Sequence, residues 1–128
     1  MVQTPAASID DGVPHPPRPD PLWETAALLA ARFRAHDDGL GLGDEEQWTL
    51  QVLKIAEESG EAAQAVIGAR GTNPRKERAD WGRVHEEVAD VVITAAVALA
   101  RMRPDAGAYL LAQLDAKARR FLAPADGA

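Results

Sequence analysis

Apolar residues recur at helical spacing in four stretches of this chain, and nowhere do they alternate as a strand requires. Leu22, Ala26, Leu29 and Phe33 predict a helix from about Leu22 to His36, halted by the glycine-rich run Asp37 to Gly43. A second helix is predicted from Asp44, an N-cap candidate followed by acidic residues, to about Ala69. Its apolar positions are Trp48, Val52, Ile55, Ala62, Val66 and Ile67, and Gly71-Thr72-Asn73-Pro74 ends it. The third starts near Asp80 or Trp81 and reaches Met102, where Pro104 enforces a break. From Val88 onward it is apolar nearly all round, as a central buried helix is. The fourth, about Asp105 to Phe121, places Leu110, Leu114, Lys117 and Phe121 on one stripe. The pattern predicts an all-α fold, a bundle of four helices.

At 128 residues the chain suits one domain. Residues 1–21 hold six of the nine prolines and have little to bury, so they are expected to form a flexible arm. The helical domain then spans 22–122, and 123–128 form a flexible tail. No basic start followed by an apolar run marks a secretory signal. The most apolar helix is too short for a bilayer, so a soluble, cytoplasmic protein is expected. An aromatic fraction of only 5% leaves the core to Ala, Leu, Val and Ile, which suits close helix packing. The apolar faces of the second and third helices exceed what two neighbours cover, which predicts a homodimer, with a tetramer next.

Charge and cysteine content narrow the chemistry. A net charge of -6 argues against nucleic acid as a partner. It leaves room for a phosphorylated substrate, because a bound cation reverses the local field. With no cysteine there are no disulfides, thiolate metal sites or cysteine nucleophiles.

Two acidic pairs carry the remaining signal: Glu58-Ser59-Gly60-Glu61 and Glu87-Val88-Ala89-Asp90. Carboxylates three residues apart project from one side of a helix. Two such helices face to face would gather four hard oxygen ligands, a cage for a divalent cation and for metal-assisted phosphate chemistry. Lys54 lies one turn before Glu58 on the same face. The connector between the pairs carries Arg70, Arg75, Lys76, Arg78 and Arg83, cations suited to the remaining charge of a polyphosphate. The plainer reading is a solvated Glu-x-x-Glu face, and a Glu87–Asp90 pair neutralised by Arg101, Arg32 or Lys54. Glu57 and Glu86 point about 100° away from their neighbours and read as surface or supporting groups. None of the three histidines stands three residues after a glutamate, so the di-iron motif is missing. Trp48 and Trp81, at helix starts, read as core anchors rather than base-stacking groups.

At Lys54 to Glu61 and Glu86 to Val92 the sequence resembles the MazG-like, all-α nucleoside triphosphate pyrophosphohydrolases, over roughly Asp44 to Arg103. The resemblance implies a bundle of that all-α type and Mg²⁺-dependent cleavage between the α- and β-phosphates, with Mn²⁺ as a substitute. The products would be a nucleoside monophosphate and pyrophosphate, and the role that of a nucleotide-pool housecleaner. It also implies Glu58, Glu61, Glu87 and Asp90 as metal ligands, Glu61 as the residue that aligns or deprotonates water, and Lys54 as a phosphate contact. Relatives usually dimerise or pair as dimers. Many of them end the last helix with an Asn-x-x-Lys-Tyr-like stretch. Here Lys117-Ala118-Arg119-Arg120-Phe121 keeps the cations and lacks the amide. Two alternatives accompany the leading expectation: hydrolysis of another nucleotide such as phosphoribosyl-ATP, and a non-catalytic helical interaction module with a relict metal site.

Overall fold

The computed structural model describes residues 20–75, 78 and 80–124. These residues form four helices and no strand: α1 (Pro21–Gly39), α2 (Asp44–Arg70), α3 (Trp81–Met102) and α4 (Ala106–Leu122). The all-α expectation holds. Most of the expected arm, the end of the tail and Lys76 lie outside the described residues.

Each boundary has a local cause. The Asp20 side chain accepts the Leu22 N–H at 3.0 Å, and Pro21 takes the first helical position, where no N–H is needed. α2 begins one residue earlier in its cap than the sequence suggested. Gly43 is the N-cap and Asp44 the first helical residue, so the acidic first turn meets the helix dipole without a side-chain cap. Its other end closes on Gly71, whose φ of 65° is left-handed; Thr72 N–H reaches Ile67 O at 3.3 Å in a Schellman arrangement. Asp80 caps α3 by accepting the Arg83 N–H at 3.1 Å. Arg103 ends α3 in an extended conformation, because Pro104 disfavours a helical residue before it.

α3 is the element the others pack on, but it is not buried all round as its apolar run predicts: Val88, Val92 and Ile93 are about half exposed. It packs along α2, against α1 and, more lightly, against α4. α2 and α3 run antiparallel: Ala65 and Ala69 meet Val84 near the connector, while Gln51 meets Arg101 at the far end. The buried apolar side chains among the described residues are only alanines and valines, with Val97 the largest fully buried one. Leucine and isoleucine contribute less than expected: none of the described ones is fully buried, Leu29, Ile55 and Leu99 are half-buried, and Leu110, Leu114 and Phe121 of the α4 stripe are exposed. Small residues at the α2–α3 seam instead bring the two backbones close. α4 is anchored at its start, where Gly107 lies against Trp23. A Cβ there would sit 2.9 Å from the indole Cδ1, so the contact demands glycine.

One buried polar hub ties three helices together. The Arg101 side chain, 5% exposed, donates to Asp37 Oδ2 at 2.7 Å, Gln47 Oε1 at 2.9 Å and Gln51 Oε1 at 2.9 Å. Gln47 in turn donates to Asp38 Oδ1 and Leu42 O, both at 2.8 Å. No fully buried side-chain polar atom of this hub lacks a partner, the condition under which a buried charge is tolerated. Among the described residues no helix is long and apolar enough to cross a membrane.

Candidate metal centre

The α2–α3 seam also holds the acidic pairs, nearer the connector. The buried stripe of α2 runs through Gln47, Gln51, Ala65 and Ala69, and that of α3 through Val84, Glu87, Thr94 and Ala98. Glu87 therefore lies on the stripe facing α2, and Glu58, half-buried, lies on the stripe facing α3. Glu61 follows Glu58 by three residues, which turns it about 60° toward the edge, and it is exposed. The three carboxylates nevertheless converge: one oxygen from each of Glu58, Glu61 and Glu87 lies within 4.8 Å of the others.

Asp90 is placed differently. From Glu87 the buried stripe continues through Val91, half-buried, and Thr94 rather than through Asp90. Asp90 is exposed and outside the converging group. A three-residue step on α3 is thus not equivalent to a three-residue step on α2, because the two start from different angles to the seam.

Electrostatics mark the group as strained. Arg83 Nε binds Glu87 Oε1 at 2.8 Å, an ion pair one turn apart on α3. The other oxygen, Oε2, is buried and has no hydrogen-bond partner among the described residues, although the side chain is only 8% exposed. A buried carboxylate oxygen without a partner is costly and rare. The Glu58 carboxylate beside Glu61, with partial desolvation and then Glu87, holds the Glu61 carboxyl above its ordinary value. Three acids share a pocket of negative potential with one arginine on its margin. That donor set fits a hard divalent cation: oxygen ligands only, one of them otherwise unsatisfied.

Gly60 lies inside this constellation. A glycine in a helix interior costs about 1 kcal/mol relative to alanine. A Cβ at Gly60 would meet nothing within 4 Å, so no packing contact requires the glycine.

The expected substrate contacts are dispersed. Lys54 is exposed one turn before Glu58, in a shallow depression with Phe33, His36 and Leu50. Arg75 is exposed in the connector, with its backbone N–H on Asn73 Oδ1 at 3.0 Å. Arg78, expected to be a free cation, folds back so that Nε donates to Ala69 O at 3.3 Å. The partners expected to neutralise the buried acids are not used. Arg101 serves the hub, and Arg83, read as part of the connector, is the residue on Glu87. The four-residue spacing of Arg83 and Glu87 was the available signal. Trp81 is exposed rather than an anchor, and Trp48 is half-buried.

A cavity of about 280 Å³ lies at the opposite end of the seam, lined by Trp23, Trp48, Arg34, Arg101 and Arg103 among others. Its arginines already pair with Asp38 and Asp44, Asp37, and Asp105 respectively, so it presents no spare charge to an anion. It is roughly 15–20 Å along α2 from the acids. The acids, not the cavity, hold the unsatisfied chemistry. No family model, curated protein or solved structure matches the chain.

Proposed function

We propose that the chain is a divalent-cation-dependent nucleoside triphosphate pyrophosphohydrolase of the MazG-like kind, converting a triphosphate and water to a monophosphate and pyrophosphate. The observation that carries this reading is the convergence of one carboxylate oxygen from each of Glu58, Glu61 and Glu87, in a group whose Glu87 also has a buried oxygen without a hydrogen-bond partner. Supporting it is the order of the two acidic motifs on successive helices, which the resemblance rests on. Glu58, Glu61 and Glu87 would hold Mg²⁺, or Mn²⁺ in its place; Asp90, outside the converging group, would join only if its side chain moved toward the other three. A cation bound there supplies charge neutralisation on the polyphosphate and lowers the pKa of a water.

The chain's own groups do the rest. Glu61, the most exposed of the three, orients the attacking water and accepts its proton; a carboxyl held above its ordinary value is a better base than a free glutamate. Arg83 holds Glu87 through the 2.8 Å ion pair to Oε1 and leaves its buried Oε2 without a partner. Lys54, exposed one turn before Glu58, and Arg75 and Lys76 of the connector are the proposed contacts for phosphate oxygens. A cytoplasmic, nucleotide-pool role follows from the substrate class proposed.

The test is pyrophosphate release from a panel of ribo- and deoxynucleoside triphosphates with Mg²⁺, run beside Glu61→Gln. Monophosphate and pyrophosphate formed by wild type and not by the variant is the expected result. No turnover on any member, or on phosphoribosyl-ATP assayed beside the panel, would overturn the enzymatic reading and leave the helical interaction module.

A further inference from the structure

Helix α4 presents a continuous apolar face that outruns α1. Viewed down the helix axis, Leu110, Leu111, Leu114, Phe121 and Leu122 fall within an arc of about 120°. All five are exposed, Phe121 at 71% and Leu122 at 80%. Gly107, in the middle of the same arc, is covered by the Trp23 indole.

The course of α1 explains why the rest of the face is bare. Ala27 and Ala30 border the cavity shared with Arg103, Pro104 and Ala106. Trp23 lies on Gly107, and Asp20 borders a groove of about 490 Å³ with Leu110, Leu111 and Leu114. Passing backward along α1, from Ala30 to Asp20, therefore leads along α4 from its start toward its end. α1 begins at Pro21, level with the groove, and the face beyond it stays exposed. The chain entering α1 arrives from that side. Residues 1–19 lie outside the described residues.

We propose that this face is the seat of the chain's own proline-rich segment. Pro14-His15-Pro16-Pro17-Arg18-Pro19 lies in the groove and along the α4 stripe, and Asp10 and Asp11 reach the cations at the end of α4. The inference is independent of the proposed activity.

Composition, length and charge all fit the seat. Proline-rich sequence favours an extended helix without internal hydrogen bonds, whose rings dock in grooves lined by aromatic and aliphatic side chains. Here Trp23 and three leucines line the groove. Proline is already restricted, so seating it costs little conformational entropy. Extended at ~3.1 Å per residue, residues 14–19 span ~19 Å, and α4 rises ~17 Å from Leu110 to Phe121 at ~1.5 Å per residue. Asp10 and Asp11 then come to the last turns of α4, which carry Lys117, Arg119 and Arg120. Among the described residues none of these three cations forms an ion pair within the chain. Tethering selects this face over other exposed apolar side chains such as Val88, Val92 and Ile93. Asp20 borders the groove itself, so the segment closes onto it through the shortest loop.

The chain has no cysteine, so a nitroxide can be attached at a single chosen position. In the full chain with Val13→Cys and the nitroxide attached there, the amide NMR signals of Leu114 to Leu122 should be lost to broadening and return when ascorbate reduces the label. Adding Leu111→Ser and Leu114→Ser, both at exposed positions, should restore those signals without reduction, with helix content by circular dichroism unchanged. The proposal fails if the strongest broadening falls outside α4 and the first turn of α1, or if the two serine substitutions leave it unchanged. It fails equally if, in an equimolar mixture, the nitroxide on one chain broadens the α4 signals of isotope-labelled chains that carry none. That result would place a second copy's segment in the groove.

Discussion

The two ends of the α2–α3 seam put buried charge to opposite uses. At one end Arg101 is sealed by Asp37, Gln47 and Gln51, so the charge is neutralised and its hydrogen bonds are taken. At the other end Glu87 is just as buried but has one arginine, on one oxygen, and two further carboxylates for neighbours. The first is a joint between three helices. The second carries a deficit that a cation would settle. Burial alone does not separate structure from chemistry; the count of partners does.

The sharpest way to break this contrast is at Arg101. Arg101→Met should cost about 3–5 kcal/mol in urea denaturation, because it takes the donor from Asp37 Oδ2 and from the Oε1 atoms of Gln47 and Gln51. Adding Asp37→Leu should return a good part of that loss, since an apolar pair replaces an ion pair nearly neutrally. Glu87→Gln, at the other end, should change the metal-free stability by no more than about 1 kcal/mol, because Arg83 is exposed and loss of its pair is offset by relief of repulsion from Glu58 and Glu61. A large loss there would make the acid end structural too.

Activity should respond in the reverse sense. Glu61→Gln is expected to lower pyrophosphate release on the order of 10²- to 10⁴-fold, the usual worth of a general base, with the fold intact. Next in size is the effect of metal. At a concentration about 100 times its dissociation constant, Mg²⁺ should stabilise wild type by about 2.7 kcal/mol, read as a rise in melting temperature. Glu87→Gln should abolish that rise. Asp90→Asn decides the ligand set: a preserved rise confines the cation to the three converging glutamates, and a lost one brings Asp90 into the site.

The smallest effect is on pH. Neighbouring carboxylates hold the folded-state pKa of Glu61 above that of the unfolded chain, so the folded protein binds its proton more tightly. Stability of the metal-free protein therefore falls as pH rises from the ordinary glutamate range through the raised value. Below that range both states are protonated and the penalty disappears. In the presence of a chelator, Glu61→Gln should melt above wild type at about pH 7, and the gap should close near pH 4. An equal gap at both values would remove the like-charge account of the site.

Much of this molecule was legible in its sequence. Helix positions were, to within about three residues at each end, because glycine, proline and aspartate punctuate the chain where backbone geometry demands. The convergence of Glu58, Glu61 and Glu87 was foreseen from spacing on two helices. The placement of Asp90 was not: the angle at which each helix turns toward the seam depends on which alanines and valines touch. The pairing of Arg83 with Glu87 was hidden by reading Arg83 as part of the connector, whereas it lies in the first turn of α3. The Arg101 hub joins residues up to 64 positions apart, beyond the reach of any local pattern.

Composition and periodicity by themselves determined the all-α class, the run of the four helices and which acidic side chains could come together on α2 and α3. Those properties are local, set by side-chain type and by the 3.6-residue turn. The tertiary structure alone decided which acids converge, which arginine is structural, and that the leucines of α2 and α4 stay outside. Those outcomes depend on the distance and rotation between helices, which small residues at the α2–α3 seam set and which no single helix encodes.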